Sequence, residues 1–318
     1  STKSPPAKEL VRRAGEIRNK HECSKPNDPS ELVLNFENWK LGIVFDFEFL
    51  DRFIEMRILF IGDIVGKAGR QAIDGVLEKV IADHKIEFTI ANGENAAGGM
   101  GITPVIAIEM LDQGVDVLTS GNHIWAKKEI FPFLDEELRI LRPANYPPKV
   151  PGRGGGVFHT RDGQKVGVLN LEGRVFMKHL DCPFRVGEKE IELLRKETNI
   201  ILVDFHAEAT SEKMAMGWFL NGRVSAVLGT HTHVQTSDER ILNEGTAYIT
   251  DVGMTGPLAS VIGIRKQIAL ERLLTQIPWK FDVATEEIEL QGVVIEVDPK
   301  TGKSQSIQRI KVPLDEGS

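Results

Sequence analysis

With 318 residues, 41% of them hydrophobic and 27% charged, the chain can bury a full core, and one α/β domain of roughly 250 residues is ordinary. A net charge of −7 with no basic stripe argues against duplex DNA as the main partner, whereas bound cations would still let the protein hold a small anionic substrate. Two cysteines, Cys23 and Cys182, make no disulfide framework, and no apolar run reaches the roughly 18 residues of a membrane span, so a cytoplasmic enzyme is expected.

Residues 1–55 differ from everything after them. The first thirty are polar, with Pro5, Pro6, Pro26 and Pro29, and lack periodicity. Leu32 to Ile54 then turns apolar and aromatic, through Phe36, Trp39, Phe45, Phe47, Phe49 and Phe53. The stretch is too acidic for a transit peptide. It reads as a non-catalytic N-terminal extension, partly disordered, either natural or upstream sequence carried along. Residues 56–318 read as the catalytic domain.

From Met56 the pattern becomes regular. Arg57 to Ile61 is a near-continuous apolar run, as expected of a strand covered on both faces. Gln71 to His84 places Ile73, Val76, Leu77, Val80 and Ile81 at helical spacing. Phe88 to Ala91 is a second strand. Thr103 and Pro104 supply an N-cap and a first-turn proline for a helix to about Leu111. Val115 to Thr119 is a strand and Glu129 to Leu138 mostly helix. Arg142 to Gly156, rich in proline and glycine, reads as a long loop. Val166 to Leu171 is a strand, and Glu172 to Arg185 fits no period and reads as a lid or substrate loop. Gly187 to Lys196 is helical. Ile200 to Phe205, Val224 to Leu228, Ala247 to Thr250, Gly292 to Val297 and Ser306 to Val312 are strands. Alternation early and crowded strands late predict two packed mixed sheets flanked by helices.

Five of these apolar runs end in ligand-type residues: Gly62-Asp63, Gly93-Glu94-Asn95, Gly121-Asn122-His123, Phe205-His206 and Gly229-Thr230-His231-Thr232-His233. Ligands of open α/β sheets bind outside the carboxyl ends of strands. In the last block two imidazoles at i and i+2 follow a buried strand, and Gly229 is expected to let the backbone bend there. Taken singly, each residue has an ordinary reading. Asp63 could cap a helix, Glu94 and Asn95 could form a turn, and His206 could be a hydrogen-bonded core histidine. Jointly, Asp63, Glu94, Asn122, His206, His231 and His233 are more ligands than one ion needs and suit a pair of ions. Oxygen and imidazole without thiolate favour iron or manganese, with zinc also compatible.

These blocks, in this order, resemble those of the calcineurin-like metallophosphoesterases. Their wording, with Asp251-Val252-Gly253-Met254-Thr255-Gly256-Pro257 further on, is similar to the bacterial YmdB-like subfamily. The resemblance runs from Met56 to roughly the end of the chain. Where the broader superfamily carries Gly-Asp-x-His, this chain has Val65, and Gly-Glu-Asn replaces Asp-x-x-Asp, as in that subfamily. The resemblance implies a four-layer αββα sandwich and hydrolysis of phosphodiesters of the 2′,3′-cyclic nucleotide class. It implies that Asp63, Glu94 and His233 hold one ion, and that Glu94, Asn122, His206 and His231 hold the second. Asn95 would contact a phosphate oxygen and His123 would stand beside the leaving group.

That assignment has a chemical logic. A water bridging two cations loses a proton near neutral pH and becomes the in-line nucleophile, so no phosphoenzyme is needed. Ring opening expels a sugar alkoxide, which His123 can protonate. Glu208 is a candidate to orient His206. Arg174, Phe176 and Phe184 are the weaker candidates for substrate contact, with Trp218 a further aromatic and core packing the simpler account of the rings. A phosphomonoesterase, or a regulatory nucleotide sensor with an RNA-processing partner, is the alternative function. Enzymes of this size often form symmetric dimers, so a homo-oligomer is compatible with the chain.

Overall fold

A computed structural model describes residues 55–315; the expected N-terminal extension falls on residues outside them. The first strands are β1 (Met56–Ile61), β2 (Asp63–Ile64), β3 (Phe88–Asn92) and β4 (Val117–Thr119). Next come β5 (Gly155–His159), β6 (Lys165–Glu172), β7 (Ile201–His206), β8 (Ala226–Thr230), β9 (Arg240–Ile241) and β10 (Ala247–Ile249). The last are β11 (Met254–Pro257), β12 (Ile288–Val297) and β13 (Ser304–Pro313). One seven-stranded sheet runs β2-β11-β12-β1-β3-β4, with β13 also paired to β12. The other runs β5-β6-β7-β8-β10-β9 and has six strands. Both sheets are mixed: β1, β3 and β4 are mutually parallel, as are β6, β7, β8 and β10, while β12 lies antiparallel to β1 and β5 antiparallel to β6.

Alternation along each strand explains why the apolar runs look continuous. Ile58 and Phe60 of β1, Phe88 and Ile90 of β3, and Leu202 of β7 pack into the core between the sheets. Their neighbours face outward: Leu59, Ile61 and Ala91 against helices of the first sheet, and Ile201, Val203 and Phe205 against those of the second. Strands covered on both faces have no polar side to show. On the first sheet lie α1 (Gly66–His84), α2 (Pro104–Asp112) and α3 (Ile130–Glu136), burying Leu77, Met110 and Leu134 among others. On the second lie α4 (Pro183–Leu194) and α5 (Thr210–Phe219), burying Ile191 and Met216. The result is the αββα sandwich. A further helix, α6 (Lys266–Thr275), buries Ala269 and leaves Leu270, Leu273 and Leu274 exposed.

The capping expectation at α2 is met: Thr103 Oγ1 accepts from Ile106 N at 3.4 Å. Several boundaries differ from the pattern reading. The loop after Arg142 ends where β5 begins at Gly155. The irregular segment after β6 is shorter than expected, because α4 opens at Pro183 rather than Gly187. β12 starts at Ile288. Helix α5 has no apolar period to announce it, since its buried residues are Glu212, Lys213, Met216 and Gly217. Among the described residues no helix is long and apolar enough to cross a membrane.

Candidate metal centre

The inner face of the sandwich changes character as the strands reach their carboxyl ends. Ile90, Val117, Val168, Leu202 and Leu228 are apolar core residues. Two positions on, with side chains on the same face, stand Asn92, Thr119, Asn170, Asp204 and Thr230, all buried. This polar floor ties the sheets together. Asn92 Nδ2 donates to Asp204 Oδ2 at 2.9 Å across the sandwich, while its Oδ1 accepts from Glu94 N at 3.1 Å. Asp204 Oδ1 in turn accepts from Thr230 Oγ1 at 2.7 Å.

Above that floor the six expected ligands meet. Asp63, Glu94 and Asn122 follow β1, β3 and β4 of one sheet; His206, His231 and His233 come from β7 and the end of β8 in the other. His206 Nδ1 lies 2.9 Å from Thr230 Oγ1, whose own proton goes to Asp204, so Nδ1 is the protonated nitrogen and Nε2 points into the site. Nε2 there faces Glu94 Oε1 at 3.2 Å, Asn122 Oδ1 at 3.0 Å and His231 Nδ1 at 3.0 Å. His231 Nε2 is taken by Glu208 Oε2 at 3.2 Å, which leaves the His231 Nδ1 lone pair turned toward the same point. A carboxylate oxygen, an amide oxygen and two imidazole nitrogens converging on one point is an arrangement that suits a cation. Ligand atoms of Glu94, His206 and His231 all lie within 4.8 Å of one another.

A second focus adjoins the first. Asp63 Oδ1 is buried and has no hydrogen-bond partner, and it stands 3.9 Å from both His233 Nε2 and His206 Nδ1. His233 Nδ1 lies 3.0 Å from the Ile262 carbonyl oxygen, which fixes its proton there and aims the Nε2 lone pair inward. An orphaned buried carboxylate oxygen opposite an imidazole lone pair, too far apart to bond each other, fits two ligands flanking an ion. The residues present therefore fit a metal group, and Asn95 Nδ2, 3.2 Å from both Glu94 Oε1 and His233 Nε2, links the two foci.

Burial disfavours a charged His206, yet Glu94 and Asp63 beside it raise its imidazole to about 9, so a cation binding at Nε2 would displace a proton held there near neutral pH. Burial also works against a charged Glu94, but His206 and the hydrogen bonds from His206 and His123 hold its carboxyl well below the ordinary range. Burial and the neighbouring His206 push His231 down to about 3, so its imidazole is neutral.

Some expectations need correction. Gly229 does not supply the bend before His231. It sits extended within β8, where a Cβ would lie 1.8 Å from the Thr250 carbonyl oxygen, so close approach is what excludes a side chain. The turn is made by His231 and His233 themselves, at φ 98° and 64°. Glu208 orients His231, and the residue that orients His206 is Thr230. Phe184, partly buried, packs edge-on against Phe219 with centroids 5.4 Å apart in the layer outside the second sheet, in line with the packing account of its ring. Trp218 lies under the Arg240 guanidinium. Arg174 and Phe176 are exposed on the strap 173–182 that follows β6. Asn95 is buried: its Nδ2 is 3.2 Å from both Glu94 Oε1 and His233 Nε2, and its Oδ1 is 2.8 Å from His123 Nδ1.

Three neighbours went unread in the sequence: Lys178, Tyr146 and Glu172. Lys178 on the strap reaches the Asn122 carbonyl oxygen at 3.2 Å and the Tyr146 hydroxyl at 3.3 Å. Glu172 ends β6 directly beside His206, fully buried, with its carboxyl raised by burial to about 7. Leu171-Glu172 is a sixth apolar run closing on a ligand-type residue, so the signal that found the other five was present there too.

Two facing mixed sheets between helices, with an acceptor-rich centre at shared strand ends, define a metallophosphoesterase-type fold. The chain belongs to the YmdB-like protein family, whose model matches residues 59–310. A Bacillus subtilis (strain 168) protein named 2′,3′-cyclic-nucleotide 2′-phosphodiesterase is 49% identical over 82% of this chain and 98% of its own length. A solved hypothetical protein from Thermus thermophilus superimposes with TM-score 0.76 at 40% identity, over 82% of this chain and 100% of the other. A solved novel phosphatase from Mycoplasma pneumoniae gives TM-score 0.77 at 33% identity, over 83% of this chain and 95% of the other.

Proposed function

We propose that this protein is a metal-dependent phosphodiesterase that opens 2′,3′-cyclic nucleotides, with Asp63, Glu94 and His233 holding one ion and Glu94, Asn122, His206 and His231 the other. The observation that carries the reading is the convergence on one point of Glu94 Oε1, Asn122 Oδ1, His206 Nε2 and His231 Nδ1. The activity named for the Bacillus subtilis relative supports it. Such ions, once bound, would polarise the phosphoryl group and make water a nucleophile near neutral pH. Iron or manganese suits this donor set best.

The chain's own residues do the rest. Glu94 supplies the shared negative charge, held in place by Asn95 Nδ2 and by His123 N at 3.0 Å. His123 is half-buried, and its Nδ1 is engaged by Asn95, so proton transfer to the departing sugar oxygen falls to Nε2. Burial lowers the basicity of His123, which makes its protonated form a stronger acid. Lys178 places positive charge at the mouth, where an anionic substrate enters. Asn95, with its amide bound on both sides, orients His123 and Glu94; a phosphate contact would come second to that.

A phosphomonoesterase is the second reading, favoured by the likeness to the Mycoplasma pneumoniae phosphatase. Purified protein loaded with manganese or iron would be given 2′,3′-cyclic AMP and nitrophenyl mono- and diesters, with Glu94→Gln as control. We expect cyclic-nucleotide turnover that disappears in the variant. Turnover of monoesters alone would move the reading to a phosphatase, and undiminished turnover in the variant would overturn the role of Glu94.

A further inference from the structure

His231 and His233 both adopt the left-handed backbone, which residues with a Cβ leave unless their surroundings enforce it. The enforcement acts on Thr232, between them. Its amide and hydroxyl both donate to Asp251 Oδ2, at 3.0 and 2.7 Å, and Lys213 Nζ takes the same oxygen at 2.7 Å. Asp251 Oδ1 accepts from Gly253 N at 2.8 Å, and the Gly253 carbonyl oxygen accepts from Asp63 N at 3.0 Å. Asp251 thus ties the histidine loop to the ligand that follows β1. Both Lys213 and Asp251 are buried. A carboxylate with four donors around it in a dry interior needs a countercharge, and Lys213 supplies it.

The residue before Lys213 reaches the other way. Glu212, also buried, accepts from Arg174 N at 3.1 Å and from Val175 N at 3.2 Å, fixing the start of the strap whose Lys178 touches Asn122. Adjacent helix positions diverge by about 100°, so a buried Glu–Lys neighbour pair requires a separate partner on each side. Two glycines make the room. A Cβ at Gly173 would lie 2.6 Å from Glu212 Oε2, and one at Gly229 would lie 3.0 Å from Lys213 Cδ.

We propose that Glu212 and Lys213 are paired positioning residues of the site. Lys213, through Asp251 and Thr232, sets the imidazoles of His231 and His233. Glu212 sets the strap across the mouth. Both ride on the segment that begins with His206 and Glu208, so β7 and α5 together align all three histidines. The inference rests on the metal-centre reading, and the test separates the two.

Manganese affinity would be measured by chelator competition for wild type, Lys213→Met, Thr232→Val and Glu212→Gln, with thermal unfolding of each metal-free protein. Residues that orient ligands typically contribute about 10–100-fold in metal affinity, and that loss is expected for Lys213→Met and Thr232→Val. Thr232→Val guards against misfolding: it keeps the amide bond to Asp251, and its metal-free unfolding temperature should match wild type. Glu212→Gln should keep manganese affinity and kcat but raise KM for 2′,3′-cyclic AMP. Wild-type affinity in Thr232→Val, or lost affinity in Glu212→Gln, overturns the division of roles. Wild-type protein that takes up no manganese overturns the metal-centre reading itself.

Discussion

The two sheets contribute different chemistry to one site. The seven-stranded sheet supplies the candidate oxygen ligands, Asp63, Glu94 and Asn122; the six-stranded sheet supplies the candidate imidazoles, His206, His231 and His233. Their supports differ accordingly. The oxygens follow glycines that admit close neighbours: a Cβ at Gly62 would lie 2.1 Å from the Gly253 carbonyl oxygen, and one at Gly121 would lie 2.1 Å from His206 Cδ2. Carboxylate oxygens accept over a wide angle, so placing the backbone is enough. An imidazole must also have its proton on the correct nitrogen, and each histidine is given an acceptor for that purpose: Thr230, Glu208 or the Ile262 carbonyl. One sheet sets charge, the other direction.

Removing charge should cost most. Glu94→Gln keeps the shape of the side chain but deletes the anion shared by both foci. Loss of a preorganised electrostatic group costs on the order of 10²–10³ in rate, and a fall of at least about 10³-fold, with loss of bound metal, is expected here. Steady-state turnover and elemental analysis check it, and near-normal values of both would remove Glu94 from the centre. His123 comes next, since it belongs to neither set of ligands. His123→Ala should retain metal while slowing alkoxide leaving groups by about 10²–10⁴-fold, with nitrophenolate esters affected far less. Equal slowing of both substrates would rule out a general acid.

How far each half was legible in the sequence follows the same contrast. The candidate ligands were readable as a cluster because apolar runs covered on both faces end abruptly in Asp63, Glu94, Asn122, His206 and His231. The sandwich followed from strand spacing. What orients the ligands was not readable, because those partners are far apart in the chain: Thr230 with Asp204, Asn92 with Asp204, Lys213 with Asp251. Helix α5 escaped for a related reason. A helix that buries Glu212 and Lys213 presents no apolar stripe, and the usual period is silent there. Phe184 is the opposite case: beside an irregular loop, its ring packs against Phe219, in line with the simpler packing account of it.

Direction should cost less than charge, and unequally among the histidines. Thr230→Val removes the hydroxyl that fixes the His206 tautomer and leaves Asp204 Oδ1 without its 2.7 Å donor in a buried setting. About 10–100-fold weaker metal binding is expected, with the ligands themselves intact. Glu208 plays the matching part for His231, but its side chain is 49% exposed. Water can replace an exposed acceptor, and exposed ion pairs contribute roughly 0–1 kcal/mol, so Glu208→Gln should weaken metal binding by less than about fivefold. The glutamine oxygen can still accept from His231 Nε2, which leaves loss of charge as the only change. Chelator competition on both variants tests the contrast directly. A Glu208→Gln effect as large as that of Thr230→Val would mean that exposure does not discount the acceptor, and that charge at Glu208 belongs to the centre itself.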